Sequence, residues 1–428
     1  MADSVSDRMR ADWNERARED AHYYVAFGGR GQDEEEFDAT AADVLPSLEF
    51  ELKRLPKGAN RRAWRALEIG CGPGRLMKPL SRHFGEIHGV DVSDEMIRLA
   101  RQRLADISHA HVHATNGASL AQFADDSFEF VYSYAVFQHI PSREVVLEYM
   151  REVRRVLKPG GIFCGQFNGL PHAADPNTWS GVVFSAADIR AFTRDNGLQL
   201  LNLIGEQTQY MWTTWALTAR PVPDTGALPR IRRITNASTG EPLVQQQGRY
   251  AALSIWIDHL PADCDLNNLE VLADGAPGVG IYIGPPDSAG LQQVNAWLPE
   301  GVRTGLVPVE LRADGQPLCP PAIARIIPSG PLVPRIISIT DGINLVLENA
   351  TSTGLLKVQL EEISAPDSVT ATVDNLPVAR LGILCTGQRP PRYELNLELP
   401  KGLPPGSHAL QIRVGPRRLL PANIVVSS

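Results

Sequence analysis

Glycine occupies every second position of one short loop. In ALEIGCGPGRLMKPL, residues 66–80, an apolar run leads through Glu68 to Gly70, Gly72 and Gly74. Glycines between a strand and a helix allow positive φ angles and let the backbone approach a bound molecule closely. The N-terminus of the helix that follows favours an anion. The loop therefore predicts an α/β unit that holds a ligand where the strand turns into the helix.

Strands and helices alternate on both sides of this loop up to residue 220. We predict strands for RALEIG, IHGVDV, FEFVYSYAVF and IFCGQF. We predict helices for SDEMIRLARQRLAD, with Ser93 as its N-cap, for SREVVLEYMREVRRVL and for AADIRAFTRDNG. Such alternation with short connections predicts a mostly parallel sheet that is covered on both faces. Two further strands, LQLLNLIGE and TQYMWTTWALTA, follow each other without a helix, so we expect them to pair antiparallel at one edge of the sheet.

The chain changes character after RPVPDTGALP, a proline-rich stretch in which we place a linker at residues 221–228. Beyond it, short alternating runs separated by Pro, Gly, Asn and Asp predict strands only. These runs also repeat, because PRIRRIT at 229 matches PRIISIT at 334, and NAWLPEGVRTGLVPVELRADG at 295 matches NLELPKGLPPGSHALQIRVGP at 396. A repeat of about 100 residues with many short strands is typical of a β-sandwich. We therefore predict two all-β sandwiches, at residues 229–328 and 329–428.

Charge and cysteine content disfavour several classes of protein. The net charge is −8 and neither half of the chain is basic, so nucleic acid and anionic membranes are not expected as partners. No apolar run approaches the roughly 18 residues of a membrane span, and MADSVSDRMRADW contains no apolar signal segment. The five cysteines show no C-x-x-C spacing, which predicts neither a disulfide framework nor a metal site. These features favour a cytoplasmic protein.

Three motifs resemble those of class I S-adenosylmethionine-dependent methyltransferases that act on small molecules. LEIGCGPGRL has an acid followed by G-x-G-x-G, SFEFVYSYAVFQHIP is similar to the family's fourth-strand motif, and EVRRVLKPGGIF is similar to the segment before its fifth strand. The resemblance covers residues 1–220. It implies a multidomain chain that begins with a Rossmann-like methyltransferase fold, with a seven-stranded, mostly parallel sheet and residues 1–60 as a helical lid. The two sandwiches resemble bacterial immunoglobulin-like domains of the IPT/TIG type.

A cofactor site follows from these motifs. Asp91 ends the second strand, 21 residues after Gly70, where a carboxylate can accept hydrogen bonds from two ribose hydroxyls. The resemblance implies that Glu68 orders the glycine loop, whereas Met96 equally suits the protein core and Asn116 equally suits a turn. The residues assigned in this way to S-adenosylmethionine are Glu68, Gly70, Cys71, Gly72, Gly74, Asp91, Val92, Met96, Asn116, Gly117, Ala118 and Tyr132.

The segment after the fourth strand carries candidates for catalysis and for substrate binding. His139 is the candidate base, because a hydroxyl acceptor must lose its proton; a structural or substrate-orienting histidine is the alternative. Tyr134 is a candidate for a wall beside the sulfonium, with core packing as its alternative. The residues assigned to the substrate are Tyr134, Gln138, Gln166 and Asn168.

Two functions of different classes remain open. The first is transfer of a methyl group from S-adenosylmethionine to a small-molecule acceptor, with a hydroxyl favoured. The second is a non-catalytic cofactor-binding domain that serves the β-sandwiches of a binding protein. A dehydrogenase is disfavoured because the third glycine falls one residue early for G-x-G-x-x-G. The sandwiches themselves are candidates for homodimerisation, or for contact with protein or carbohydrate.

Overall fold

The computed structural model describes residues 4–26, 31–55, 60–170, 176–218, 226–342, 348–388 and 391–427. Residues 221–225 of the predicted linker lie outside this part of the chain, so the domain boundary at 221–228 stays a prediction. None of the described helices is both long enough and apolar enough to cross a lipid bilayer.

Three helices precede the first strand: α1 (Val5–Ala26), α2 (Glu34–Ala39) and α3 (Leu45–Glu51). The first helix is interrupted at Asp20, whose backbone is extended, with φ −167° and ψ 89°. The Asp20 carboxylate accepts the backbone N–H of Tyr23 at 3.0 Å, as an N-cap side chain does. α1 therefore consists of two helical pieces joined at a bend.

A sheet with alternating strands and helices follows, as the sequence predicts. In chain order its elements are β1 (Arg65–Ile69), α4 (Met77–Leu80), β2 (Glu86–Asp91), α5 (Asp94–Arg103), β3 (Ala110–Ala114), β4 (Phe128–Ser133), α6 (Arg143–Val156), β5 (Leu157–Phe167), α7 (Ala186–Asp195), β6 (Leu198–Ile204) and β7 (Met211–Leu217). The strands are hydrogen-bonded in the order β3-β2-β1-β4-β5-β7-β6. β7 runs antiparallel to both neighbours and the other pairs are parallel. Ser93 is the N-cap of α5, since its Oγ accepts the N–H of Met96 at 3.1 Å.

The fourth strand is shorter than the sequence predicts. The pattern FEFVYSYAVF predicts a strand through Phe137, but β4 ends at Ser133. Beyond it, Ala135 has a φ of 56°, which few residues other than glycine adopt, and a 3-10 turn follows at Phe137–His139. The N–H of Ala135 donates to Oε1 of Gln166 at 2.9 Å. This bond stabilises the turn that leads the chain away from the sheet.

Ten strands form the first β-repeat: β8 (Arg230–Asn236), β9 (Leu243–Gln245), β10 (Ala252–Asp258), β11 (Leu269–Ala273), β12 (Ala276–Pro277), β13 (Val279–Ile283), β14 (Gln292–Trp297), β15 (Gly305–Ala313), β16 (Gln316–Pro317) and β17 (Ala322–Ile327). β13 pairs antiparallel with β6 through Tyr282 and Asn202, and the sheet continues through β14, β10 and β8 to a total of eleven strands. The prediction that β6 and β7 form a sheet edge is therefore wrong. The backbone groups that an edge strand would leave unpaired meet the next repeat instead.

Side chains reinforce this junction between α7, β6 and the first repeat. The guanidinium of Arg190, on α7, donates to the carbonyl oxygen of Gly280 at 2.9 Å. The carboxylate of Asp265 accepts the backbone N–H of Leu200, in β6, at 2.9 Å. The repeat is thus attached to the sheet by backbone pairing and by two buried or half-buried polar contacts, all within the first of the two compact units of the chain.

The second repeat belongs to the other compact unit, which contains residues 245–251 and 327–428. Its strands are β18 (Arg335–Asp341), β19 (Ala350–Thr351), β20 (Leu355–Glu361), β21 (Val369–Val373), β22 (Leu376–Pro377), β23 (Ala379–Gln388), β24 (Pro391–Glu398), β25 (Gly406–Val414), β26 (Arg417–Arg418) and β27 (Ala422–Val426). One sheet has the order β18-β20-β24-β23, which matches β8-β10-β14-β13 of the first repeat. The other contains β27-β25-β21-β22, which matches β17-β15-β11-β12. A β-rich C-terminal region in several sheets is as predicted.

Candidate active site

A cavity of about 820 Å³, its mouth included, lies at the carboxyl ends of β1, β2 and β4. Open α/β sheets bind ligands at this edge. Ten of the residues that the sequence assigns to cofactor, catalysis or substrate line it: Glu68, Gly70, Cys71, Gly72, Asp91, Val92, Met96, Gly117, Tyr134 and His139.

The glycine loop has the backbone that its sequence predicts. Gly70, Gly72 and Gly74 have φ angles of 72°, 50° and 84°, which lie in the left-handed region that favours glycine. A Cβ on Gly70 would lie 2.3 Å from Cγ2 of Val136, so a larger residue does not fit there. A Cβ on Gly74 would instead meet Leu104 at 3.0 Å, and Gly74 does not line the cavity. Gly74 thus permits close packing behind the loop rather than approach to the cavity.

Asp91 attaches the loop to the end of β2. Its carboxylate accepts the backbone N–H of Gly72 at 2.9 Å and that of Ser93 at 2.8 Å. Burial raises the pKa of Asp91 to about 6, and these backbone donors oppose the increase. Because a carboxylate has about four acceptor positions and Asp91 lines the cavity, it retains acceptor capacity toward a ligand.

Glu68 and Tyr132 form a buried pair. The Tyr132 hydroxyl donates to Oε2 of Glu68 at 2.9 Å. Burial raises the pKa of Glu68 to about 8, and Tyr132 and the charge of Arg75 oppose the increase. Tyr132 is fully buried and stacks on Phe130 with ring centres 5.3 Å apart, so it does not line the cavity. The prediction that Tyr132 contacts the cofactor is therefore corrected to a role beneath Glu68, inside the sheet.

The stability of the protein without cofactor should depend on the ionisation of Glu68. Because its pKa rises from an ordinary 4.5 to about 8 on folding, the native state binds a proton that the unfolded chain releases, and the free energy of unfolding decreases as the pH rises between these values. Glu68→Gln removes this effect. Relative to wild type, the variant should gain on the order of 3 kcal/mol between pH 5 and pH 9, measured by urea unfolding. Glu95→Gln is the control, since Arg98 lowers the pKa of that half-buried carboxyl and no such gain is expected. A difference between Glu68→Gln and wild type that does not change with pH would contradict the prediction.

The segment after β3 contains three residues that the sequence analysis assigns to the cofactor: Asn116, Gly117 and Ala118. One of the three lies at the cavity. Gly117 lines it, and a Cβ there would lie 3.0 Å from Cε of Met9. Asn116 closes a turn instead, because its Oδ1 accepts the N–H groups of Ala118 at 3.0 Å and Ser119 at 2.9 Å. Neither Asn116 nor Ala118 lines the cavity, so the structure favours the turn alternative for Asn116.

His139 is buried and lines the cavity. Its Nδ1 lies 2.8 Å from the carbonyl oxygen of Trp179, which can only accept, so Nδ1 carries the proton and donates. Its Nε2 is then an acceptor, and the side-chain amide nitrogen of Gln138 donates to it at 3.2 Å. Burial lowers the pKa of His139 to about 4. The imidazole is therefore neutral at pH 7, in a tautomer that the protein selects.

The other predicted substrate residues have protein partners. Nε2 of Gln166 donates to Oε1 of Gln138 at 2.6 Å, so a series of hydrogen bonds leads from the turn after β4 through both glutamines to His139. Oδ1 of Asn168 accepts the N–H of Leu170 at 3.2 Å. Gln138, Gln166 and Asn168 are buried and do not line the cavity, because their side chains are engaged within the protein. The assignment of these three residues to the substrate therefore has no support from the geometry.

The N-terminal helix α1 covers the cavity. Met9, Trp13, Tyr24 and Val25 line it; Trp13 and Tyr24 lie on the helical stripe that the sequence of this segment indicates, whereas Met9 and Val25 were not indicated. Oδ1 of Asn14 accepts from the hydroxyl of the N-cap serine of α5 at 2.8 Å, which docks α1 beside the cofactor side of the cavity. The helix thus lies where the sequence analysis places a lid, and its role as a lid stays a prediction.

Arg75 is a further residue of the cavity that the glycine pattern did not indicate. Its side chain is buried, its Nη1 donates to the carbonyl oxygen of Thr40 at 2.9 Å, and its guanidinium carbon lies 5.7 Å from the ring centre of Tyr134. The Tyr134 ring also stacks on Trp212, with ring centres 5.6 Å apart. An arginine directly after the third glycine was the available signal, because it places a cation where the turn favours an anion.

Comparison with known proteins gives this region a name. A family model described as a methyltransferase domain matches residues 67–165. Residues 67–165 are therefore similar to a methyltransferase domain. The chain is 35% identical over 97 residues to phosphoethanolamine N-methyltransferase 2 of Caenorhabditis elegans, covering 22% of this chain and 22% of that protein. It is 31% identical over 159 residues to trans-aconitate 2-methyltransferase of Rhodopseudomonas palustris strain BisB18, covering 36% and 50%.

The similarity to these proteins is partial. The chain spans half or less of the length of the two relatives. Among solved structures, geranyl diphosphate C-methyltransferase from Streptomyces coelicolor A3(2) is 15% identical, and the match covers 51% of this chain and 99% of that chain with a TM-score of 0.37.

The predictions of a methyltransferase domain and of S-adenosylmethionine as its cofactor are confirmed. The cavity fits this cofactor in two respects. Gly70 brings backbone to the cavity wall where a Cβ is excluded, and the buried carboxyl groups of Glu68 and Asp91 line the same wall. Backbone N–H groups, acceptors for hydroxyl and amino groups, and the apolar Val92 and Met96 are the partners that the polar and aromatic parts of the cofactor require.

Proposed function

We propose that the chain transfers a methyl group from S-adenosylmethionine to a small-molecule acceptor, and that the acceptor group is a hydroxyl. The observation that carries the proposal is the cavity itself. It is bounded by the glycine loop, Glu68 and Asp91, all within the methyltransferase domain, and it also reaches His139.

Different residues of the cavity bind different parts of the cofactor. Asp91 accepts from ribose hydroxyls, Glu68 orders the glycine loop, and Val92 and Met96 contact the adenine. The bound cofactor supplies a methyl group that is already activated on a sulfonium. The protein therefore has to align the acceptor, exclude water and, for a hydroxyl, accept a proton. α1 supports water exclusion because four of its residues close one side of the cavity.

His139 is the group proposed to accept that proton. Its Nδ1–H is held by the carbonyl of Trp179, so the lone pair on Nε2 is the available base. The Gln138 amide donates to that lone pair at 3.2 Å, and an acceptor hydroxyl has to take its place. A pKa of about 4 keeps the imidazole ready to accept at pH 7, although it makes the imidazole a weak base.

The proposal also includes the domain organisation of the chain. We assign residues 1–220 to a Rossmann-like domain with a seven-stranded sheet, and residues 229–328 and 329–428 to immunoglobulin-like sandwiches. A cytoplasmic location and contacts of the sandwiches with protein or carbohydrate stay predictions. The alternative function, a non-catalytic cofactor-binding domain that serves the β-repeats, is favoured by the pairing of β6 with β13, since this pairing makes the two parts one sheet.

Two measurements on the full chain distinguish these functions. Calorimetry with S-adenosylhomocysteine, S-adenosylmethionine and NAD tests the cofactor, and binding of NAD alone would overturn the proposal. A panel of hydroxylated small molecules, assayed by release of S-adenosylhomocysteine, tests the transfer. Tight cofactor binding without release of product from any hydroxyl, amine or carbon acceptor would support the non-catalytic alternative.

A further inference from the structure

The two β-repeats differ at one end strand: in the first repeat a further strand pairs with it, and in the second repeat none does within the part of the chain that the structure describes. β13 and β23 hold the same place, because each is the end strand of its repeat's four-stranded order. The register shift between Gly280 and Tyr282 in β13 recurs between Arg380 and Gly382 in β23. β13 is followed by the antiparallel strand β6, whereas the sheet of the second repeat ends at β23 within the part of the chain that the structure describes.

β23 carries two register shifts, between Arg380 and Gly382 and between Cys385 and Gly387, but it lacks the other features that protect a sheet edge. It is ten residues long, ARLGILCTGQ, and after Arg380 it contains neither a charged residue nor a proline. Edge strands in natural proteins are usually short, charged, interrupted by proline or covered. Two leucines on β23 are also exposed, with 57% of Leu381 and 44% of Leu384 accessible to solvent. These are the properties of a strand that pairs with another strand.

Other edges of the described sheets do carry protection. β8 contains Arg230, Arg232 and Arg233, and β3 is only five residues long. At the opposite end of the sheet that contains β23, β18 is covered by the chain itself, because the N–H of Asn349 donates to the carbonyl of Ile339 at 2.9 Å. The long uncharged edge is therefore a property of β23 and not of these sheets in general.

We propose that β23 pairs with β23 of a second copy of this chain. Two identical strands related by a two-fold axis pair antiparallel, and antiparallel is the direction in which β13 accepts β6. The strand β6 of a second copy is not available, because its own β13 already pairs with it. The charge distribution also permits self-pairing, since the single charged residue, Arg380, lies near one end of β23 and the two copies of it are placed at opposite ends of the interface.

The pairing accounts for the exposed features of β23. The two four-stranded sheets become one sheet of eight strands across the interface, so the outer N–H and C=O groups of both strands gain partners. Leu381 and Leu384 of both copies come beside the new strand, where cross-strand apolar contacts stabilise a sheet. The interface uses no residue of the methyltransferase cavity, so it is independent of the proposed reaction.

Light scattering and sedimentation of the full chain test the proposal. At about 50 µM we expect twice the chain mass of 46.8 kDa. The double variant Leu381→Lys, Leu384→Lys places like charges on both sides of the axis, and its dimer dissociation constant should rise by about 100-fold or more. Leu420→Lys is the matched control, because it makes the same change at an exposed leucine outside β23 and should leave the dimer intact. Thermal unfolding checks that each variant is folded.

Hydrogen exchange on the wild type gives a test that needs no variant. The amides of residues 381–386 should exchange more slowly as the protein concentration rises, while those of β20, in the middle of the same sheet, should not change. A wild-type chain that remains monomeric at about 100 µM would overturn the proposal. So would a double-lysine variant that dimerises as tightly as wild type, or β23 amides whose exchange is independent of concentration.

Discussion

Asp91→Ala should weaken the binding of S-adenosylhomocysteine by about 1–3 kcal/mol, or roughly 5- to 150-fold in Kd. Two effects act together. The cofactor loses a charged acceptor for its hydroxyls, and charge-assisted hydrogen bonds are about twice as strong as neutral ones. In addition, the N–H groups of Gly72 and Ser93 lose the acceptor that holds the loop in place. Calorimetry on wild type and variant gives the difference in binding free energy directly.

The control for Asp91 is Asp106→Ala, which removes an exposed carboxylate beyond the end of α5 and should leave Kd unchanged. Urea unfolding of both variants separates binding from stability, because Asp91→Ala also leaves two buried donors unpaired and should destabilise the protein by about 1–3 kcal/mol. If Asp91→Ala binds the cofactor as tightly as wild type, the carboxylate serves the loop alone and does not contact the cofactor.

His139→Ala should lower turnover by about 10²–10⁴-fold once an acceptor is known, with little change in cofactor affinity. His139→Asn is the informative comparison, because an asparagine amide can still donate to the Trp179 carbonyl but offers no imidazole Nε2. A base at His139 predicts that both variants lose turnover. A structural or orienting role predicts that His139→Asn keeps most of it, with a change in KM for an orienting residue.

The pH dependence of His139 follows from its lowered pKa. Because the folded value is about 4, a rate that depends on neutral His139 should stay level well below pH 6.5 and fall only as the pH approaches 4. The unfolded chain takes up a proton near its ordinary 6.5, so the contribution of His139 to stability is complete above that pH and is lost as the pH falls toward 4. A rate that halves near pH 6.5 in wild type and in His139→Asn alike would show that a group other than His139 titrates.

Local sequence patterns predicted the glycine loop and Asp91 of the cavity. Other residues that line the cavity reach it through contacts between distant parts of the chain, which the sequence does not show. The positive φ angles of Gly70 and Gly72 and the position of Asp91 depend on neighbouring residues, so the sequence carries a strong local signal for them. Trp13 lies far from the glycine loop in the chain, and it reaches the cavity only because α1 docks on α5. No periodicity of the α1 sequence indicates which surface that helix will cover.

The predictions of where β4 ends and of a sheet edge at β6 were wrong for a similar reason, because both depend on contacts between distant residues. Tyr132 pairs in register with Glu68 on the neighbouring strand, which places both side chains on the same buried face of the sheet. Tyr134, two residues later, lies beyond the end of the strand and reaches the cavity. The point at which β4 ends depends on the bond from Ala135 to Gln166, which joins residues 31 positions apart. The partner of β6 lies still farther along the chain, so its pattern resembles that of an ordinary edge strand.

The pairing of β6 with β13 has a consequence during translation. Asn202 and its partner Tyr282 are 80 residues apart, and at about 5–20 residues per second their synthesis is separated by about 4–16 s. For that interval the nascent sheet has an open side at β6, where another nascent chain can add. We therefore expect a product truncated before β13 to be prone to aggregation, because the side of β6 that pairs with β13 then stays open.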